Sequence, residues 1–334
     1  MSSIHSVSTI APHRVSLVGG GSDLPSISNR IGGGCISFTI PKYIFVTCKM
    51  HSPSQFGEKY RLQYSSTEVV QDRADIKNNI IRETLQYLQL DDPLVISVTS
   101  DLPSGSGLGS SSSFTVALLM ALRLLFGIAT NPFELAEDAF QIEKAINGNN
   151  VGRQDQYAAA VGGFNYYRFA RDGSVSIHPI FNSNAQISNL SHSSLLIWTG
   201  LSRSASSILQ SQVNLSTSRI EYYEQMNSLT AECYFKMKDH LFTTSDYASF
   251  VFKNWDLKRS MSSSITNSKI DTIINLCLNN GTMACKLLGA GGGGYILAIG
   301  VNQQTRKCIT EIGLHSEELR YDPNGVRVLS TFNL

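Results

Sequence analysis

The chain has 334 residues, of which 42% are hydrophobic and 16% charged, enough apolar material for one large core or two ordinary ones; a disordered or collagen-like chain is excluded. Lys and Arg number 27 against 26 Asp and Glu, a formal net charge of +1, which provides no field to steer nucleic acid or an anionic membrane, so any binding of phosphate must be local. The charged fraction lies below the roughly one quarter usual in globular chains, and Ser and 26 Gly, many of them clustered, make up the difference.

Val15-Ser16-Leu17-Val18 reads as a short strand that runs into Gly19-Gly20-Gly21-Ser22-Asp23. A second cluster, Gly32-Gly33-Gly34, precedes Cys35 to Ile40 and Tyr43 to Met50. These two β-branched and aromatic stretches, separated at Pro41, predict strands of an antiparallel meander. Ile76 to Leu90 has helical spacing, with Ile80, Ile81, Thr84, Leu85 and Leu88 on one side, and Leu94 to Thr99 predicts a strand. That strand leads through Pro103 into Ser104-Gly105-Ser106-Gly107-Leu108-Gly109 and four serines; Phe114 to Phe126 is then apolar nearly all round, the mark of a helix buried on every side. The next helix has Asn131 as N-cap, Pro132 at its first position, Glu134 three residues after the cap and a stop at Asn147-Gly148. Another begins near Asp155 and ends at Gly162-Gly163, and Phe164 to Ile180 has strand character with a turn at Asp172-Gly173. From about residue 186 the elements alternate: a strand at Leu195 to Trp198, helices around 203–215, 218–240, 245–260 and 268–280, and strands near 295–300 and 326–331. No fixed-period repeat appears, and the pattern predicts two α+β domains, residues 1–185 and 186–334.

The six cysteines, Cys35, Cys48, Cys233, Cys277, Cys285 and Cys308, have no C-x-x-C pair and no zinc or disulfide spacing; they read as buried small hydrophobes of a reduced compartment. No basic segment followed by an apolar stretch opens the chain, and the longest apolar run, Phe114 to Leu122, is too short to cross a bilayer. The expectation is a cytoplasmic monomer or homodimer whose partners include neither nucleic acid nor membrane.

Three clusters carry chemistry. In the loop from Pro103 to Ser113, the glycines let the backbone approach a ligand, and the N–H groups of residues 105–112 at the start of a buried helix form an anion cradle suited to a nucleotide phosphate. The alternative is a solvated Gly/Ser turn. A Walker-type loop ends in Gly-Lys-Ser/Thr, and this one has no lysine, which predicts that neutralising charge has to come from a metal, with Ser110 or Ser111 as a hydroxyl ligand. Glu143 falls on the inward stripe of the 131–147 helix with Ala136, Ala139 and Phe140. A carboxylate there calls for a cation, either a hard divalent metal beside phosphates or an Arg or Lys at the core edge. Asp155 lies in the opening turn of the next helix, where an anion is stabilised, as a functional carboxylate or as a helix cap. The third cluster, Gly19 to Asp23, fails as a dinucleotide fingerprint because Leu24 stands where the third glycine is needed, which disfavours an oxidoreductase. Its polar loop, Gly21-Ser22-Asp23, suits the hydroxyls of a polyol.

Ala11 to Pro25, Pro103 to Ser113 and Lys286 to Tyr295 stand in the order and spacing of three motifs that resemble those of the GHMP small-molecule kinases, and together they bracket most of the chain. Gly19 to Pro25 and Trp198 to Ala205 resemble the sugar-kinase branch that acts on D-glycero-D-manno-heptose 7-phosphate, where galactokinases have a Gly-Glu-His-x-Asp pattern. The resemblance implies an α+β, two-domain fold, with a ribosomal protein S5 domain 2-like N-terminal domain that binds ATP and a ferredoxin-like C-terminal domain. It implies phosphorylation of the sugar's anomeric hydroxyl to a 1,7-bisphosphate, for nucleotide-activated heptose and surface polysaccharide.

Residue by residue, the same resemblance places ATP on Pro103, Gly105, Ser106, Gly107, Leu108, Gly109, Ser110, Ser111 and Ser112, and Mg²⁺ on Ser111 and Glu143. Asp155 matches the catalytic aspartate, Arg14 stands near the attacking hydroxyl, and Asp23, with Gly21 and Ser22, meets the sugar. Gly289 to Gly294 is expected to support the phosphate loop, and His13 departs from the Gly or Leu frequent in relatives. For the distal phosphate the candidates are Arg203, at the start of a helix, and Arg153, beside the catalytic segment. Rival readings are a fucose or galactose kinase and a non-catalytic sugar-binding paralogue; retention of both Glu143 and Asp155 argues against the latter.

Overall fold

The computed structural model describes residues 4–180, 184–202, 220–239 and 241–333. Its first two strands are longer than the sequence pattern predicts: β1 covers Ile4–Gly19 and β2 covers Gly33–Met50. The expected break at Pro41 is a register slip inside one continuous strand. Pro12 lies opposite Tyr43 and His13 opposite Ile40, so the residue that has no N–H to give is skipped by the ladder. Polar residues in β1 hid its length, and tertiary contacts satisfy some of them; Thr9 Oγ1, for example, donates to Ala117 O at 2.8 Å.

The remaining strands are β3 (Tyr60–Gln63), β4 (Thr67–Val70), β5 (Leu94–Ser100), β6 (Phe164–Phe169), β7 (Val175–Pro179), β8 (Ser194–Trp198), β9 (Ala284–Leu287), β10 (Tyr295–Ile299), β11 (Ser316–Glu318) and β12 (Arg327–Asn333). An eight-stranded sheet runs β12-β1-β2-β5-β3-β4, with β6 also on β2 and β7 on β6; a four-stranded sheet runs β11-β8-β10-β9. The chain has the mixed α+β architecture expected of it. The last strand, inside the predicted 186–334 unit, pairs with β1 from Asn333 opposite Ile4 to Arg327 opposite Ile10. The second half of the chain thus returns its end to the first sheet.

The Ser110–Leu125 helix is the packing centre beside the large sheet. Val116, Ala117, Leu118, Leu119, Ala121 and Leu122 are all fully buried, and withdrawing one such leucine costs roughly 1.5–3 kcal/mol. The helix cannot slide along its axis, which anchors its N-terminus at the Gly/Ser loop. The Pro132–Asn147 helix begins as predicted, with Asn131 Oδ1 accepting from the N–H groups of Phe133 and Glu134 at 3.0 Å each. The described cysteines are all unpaired, buried except for the half-buried Cys308, and no helix among the described residues is long and apolar enough to cross a membrane.

Candidate functional site

The site begins where loop becomes helix. Gly109 caps the Ser110–Leu125 helix in a left-handed conformation, φ 80°, and no side chain covers the first N–H groups. The loop is held from behind by the stretch from Leu288 to Tyr295. A β-carbon on Gly107 would stand 2.6 Å from Leu288 O, and Tyr295 N donates to Ser106 O at 3.0 Å. Backbone packs directly on backbone, which is why both stretches are glycine-rich.

Arg14 joins the loop to a carboxylate 141 positions away. Its Nε and Nη2 donate to Asp155 Oδ1 and Oδ2 at 2.8 and 2.6 Å, while Nη1 donates to Gly107 O at 2.8 Å. The fork geometry fixes the plane of both groups. The Arg14 side chain is 7% exposed and that of Asp155 30%, so the carboxylate faces the cleft while the guanidinium is walled in. Asp155 is not a helix cap: Arg153 is the cap residue, with no side-chain bond.

Glu143 rises from the Pro132–Asn147 helix, 5% exposed. Ser111 Oγ approaches its Oε2 at 3.4 Å, and Oε1 is buried without a hydrogen-bond partner. Burial pushes the carboxyl up to about 7, with no Arg or Lys among its influences, so the ion-pair alternative fails among the described residues. An orphaned carboxylate oxygen beside a hydroxyl at a helix start fits a hard divalent cation. No three His, Cys, Asp or Glu side chains gather among the described residues, so oxygens of a ligand would have to complete the shell.

Asp23 accepts from Gly21 N at 3.0 Å and Gln154 N at 3.1 Å. Burial, and then the charge of Asp155, raises its pKa. Gly152 makes room for it, since a β-carbon there would lie 1.9 Å from Asp23 Oδ2. Tyr223, on the Ile220–Lys236 helix, is buried with an unpartnered hydroxyl and stands against Gly21.

One cleft of about 1130 Å³ takes in Arg14, Gly21, Asp23, Glu143, Asp155 and the loop from Pro103 to Ser112 except Leu108. Leu108 is fully buried in the core, and only its carbonyl is used, accepting from Arg14 N at 3.1 Å. Ser22 is also fully buried; its hydroxyl exchanges hydrogen bonds with Gly34 N and Gly34 O at 3.1 and 3.2 Å, latching the loop after β1 to β2 instead of facing a ligand. Arg153 lies over the Phe140 ring, 3.9 Å from its centroid, with Nε 3.4 Å from Glu137, and does not line the cleft. Arg203 lies outside the described residues. His13 is fully buried with neither ring nitrogen partnered, and burial lowers its pKa to about 4.

Two lysines of the cleft were given no role by the sequence reading. Lys286 is 2% exposed and donates to Leu17 O and Asn254 Oδ1, each at 2.9 Å; burial holds its pKa well below the usual lysine range. Lys258, on the Thr244–Met261 helix, donates to Gly289 O, and burial followed by the charge of Arg14 brings it to about 8. The loop has no lysine of its own, but two lysines line the cleft around it.

The family model described as GHMP kinases N terminal domain matches residues 77–163, and that described as GHMP kinases C terminal matches residues 248–309. A D-glycero-alpha-D-manno-heptose 7-phosphate kinase of Campylobacter jejuni is 30% identical over 303 residues, covering 87% of this chain and 88% of that protein. Among solved structures, a D-glycero-D-manno-heptose 1-phosphate kinase from Bacteriodes thetaiotaomicron superposes with a TM-score of 0.77 at 21% identity, over 98% of this chain and 99% of that one. A Lactococcus lactis galactokinase complexed with galactose gives 0.76 at 14% identity, over 96% and 95%.

Proposed function

We propose, from the premise that this chain belongs to the GHMP kinases and is an ATP-dependent kinase acting on a sugar, that its acceptor is the anomeric hydroxyl of D-glycero-D-manno-heptose 7-phosphate and its product the 1,7-bisphosphate. The observation that carries the reading is the Arg14–Asp155 pair set on Gly107 O, which puts a partly exposed carboxylate at the mouth of the Gly/Ser loop. The choice of sugar is supported by the Campylobacter jejuni relative, whose name gives that substrate.

In this reading Asp155 takes the proton of the anomeric hydroxyl, and Arg14 lowers the cost of negative charge on the attacking oxygen. That oxygen bonds to the γ-phosphorus of ATP as the bond to the ADP oxygen breaks. Main-chain N–H groups of residues 105–112 meet the developing charge without reorganising. Asp23 and Gly21 hold sugar hydroxyls. Ile44, Tyr64, Ile80 and Val98, which also line the cleft, offer the apolar surface that adenine takes. Ser111 and Glu143 would hold Mg²⁺, which when bound neutralises phosphate oxygens. The nucleotide sits on the unit of residues 1–185 and the unit from residue 186 onward closes the acceptor side.

The test is ADP release by the purified chain on heptose 7-phosphate, heptose, fucose and galactose. The highest kcat/KM on heptose 7-phosphate is expected. Turnover of fucose or galactose alone would replace the proposed acceptor, and no turnover with any sugar would remove the reading altogether.

Glu143→Gln keeps the side-chain volume and removes the charge. The Mg²⁺ concentration for half-maximal rate is expected to rise at least on the order of 10- to 100-fold, the scale set by mere outer-shell changes. The metal-free protein should melt no lower than wild type, because a buried carboxylate with no cation beside it is lost. A Mg²⁺ titration at fixed ATP and a thermal melt check both; an unchanged Mg²⁺ requirement takes Glu143 out of the metal's shell.

A further inference from the structure

We propose that Lys258 supplies, from the second half of the chain, the cation that the Gly/Ser loop lacks, its ammonium contacting the phosphoryl group as it passes from the loop to the acceptor. The inference rests on the sugar-kinase reading above and deepens it. Lys258 lines the cleft, and its Nζ donates to Gly289 O. Gly289 is pressed against the loop: a β-carbon on it would lie 2.5 Å from Gly107 Cα. Gly107 O in turn receives Arg14 Nη1 at 2.8 Å. Lys258 and Arg14 therefore converge on the contact between Gly289 and Gly107.

Their charges are balanced differently. Arg14 is neutralised by both oxygens of Asp155, whereas the acceptor for Lys258 is a carbonyl, which engages one of three N–H donors and cancels no charge. Lys286 lines the same cleft and bonds to a carbonyl and an amide oxygen. A cation held on a neutral acceptor in a partly buried cleft is stabilised when an anion comes to it. At the Gly107–Gly289 contact that anion is the phosphoryl group leaving the loop for the hydroxyl at Asp155. The phosphate on C7 of the acceptor is held away from that point by the length of the sugar.

The experiment compares full-length wild type, Lys258→Gln, Lys258→Met and Lys258→Arg. Turnover is measured on heptose 7-phosphate and on heptose, with ADP affinity and retention of ADP with aluminium fluoride and sugar, a mimic of the phosphoryl group in flight. The Gln and Met variants are expected to lose on the order of 100- to 1,000-fold in kcat, the cost of one oriented transition-state donor, by the same factor on both sugars. They should bind ADP within about threefold of wild type and fail to retain ADP with aluminium fluoride. Lys258→Arg should recover about tenfold, a point charge being replaced by a broader one. Losses confined to the phosphorylated sugar, a rise in sugar KM with kcat unchanged, or undiminished retention of the fluoride complex overturns the assignment. A wild type that turns over no sugar overturns the parent reading and this one with it. An active wild type matched by Lys258→Gln overturns this one alone.

Discussion

Asp155→Asn is expected to lower kcat on the order of 100- to 10,000-fold, the range for loss of a positioned general base, with ATP affinity unchanged. A carboxamide has the same shape but cannot take a proton from a sugar hydroxyl at neutral pH. The substitution also sets an amide NH₂ against one of the two Arg14 donors that now sit 2.8 and 2.6 Å from the carboxylate. Arg14 stays placed by Gly107 O and by its main-chain bond to Leu108 O, so the cleft keeps its form and the loss falls on the chemical step. Single-turnover phosphoryl transfer with a nucleotide titration separates the two quantities. Wild-type turnover at saturating substrate would leave Asp155 as an anchor for Arg14 and nothing more.

Gly107→Val is expected to abolish measurable ATP binding. Gly107 has φ 79°, a region that costs an L-residue roughly 1–2 kcal/mol and a β-branched one more. The added β-carbon would also meet Leu288 O at 2.6 Å and Gly289 N at 3.4 Å. Neither atom is the end of a flexible side chain, so the two glycine loops must separate, and with them the N–H groups and the Arg14 contact. Gly127→Val provides the control: φ is 66° and nothing lies within 4 Å of a β-carbon there. It should lower the melting temperature through backbone strain while leaving ATP affinity as in wild type. A Gly107→Val protein that binds ATP normally by calorimetry would dissociate the loop from nucleotide.

The residues that sequence reasoning placed well share one property: their evidence lies within a few positions. Asn131 and Pro132 announce a helix because capping uses N–H groups two and three residues on. The apolar circumference of Phe114 to Phe126 announces burial, and the glycine-serine run before it announces a backbone that something approaches closely. Glu143 was legible because a carboxylate on an inward stripe is conspicuous against Ala136, Ala139 and Phe140. Leu108 and Ser22 were carried along with their motifs, yet their side chains serve the core and the β1–β2 junction. Within a motif, the pattern marks the segment and not the direction of each side chain.

Composition and local order alone were enough to predict an α+β chain with a glycine-serine loop at the start of a buried helix and carboxylates on the helices that follow, because periodicity, caps and glycine clusters express forces that act over one turn or one pleat. Which groups confront one another was decided by the fold. Lys286 meets Leu17 across 269 positions and Lys258 meets Gly289 across 31, and β12 reaches β1 from the other end of the chain. In sequence Lys258 sits in Asp256-Leu257-Lys258-Arg259, indistinguishable from a solvated helix face. It becomes a cleft residue only because packing of the second sheet's helices brings that turn against the loop, and no local interaction energy encodes such a meeting.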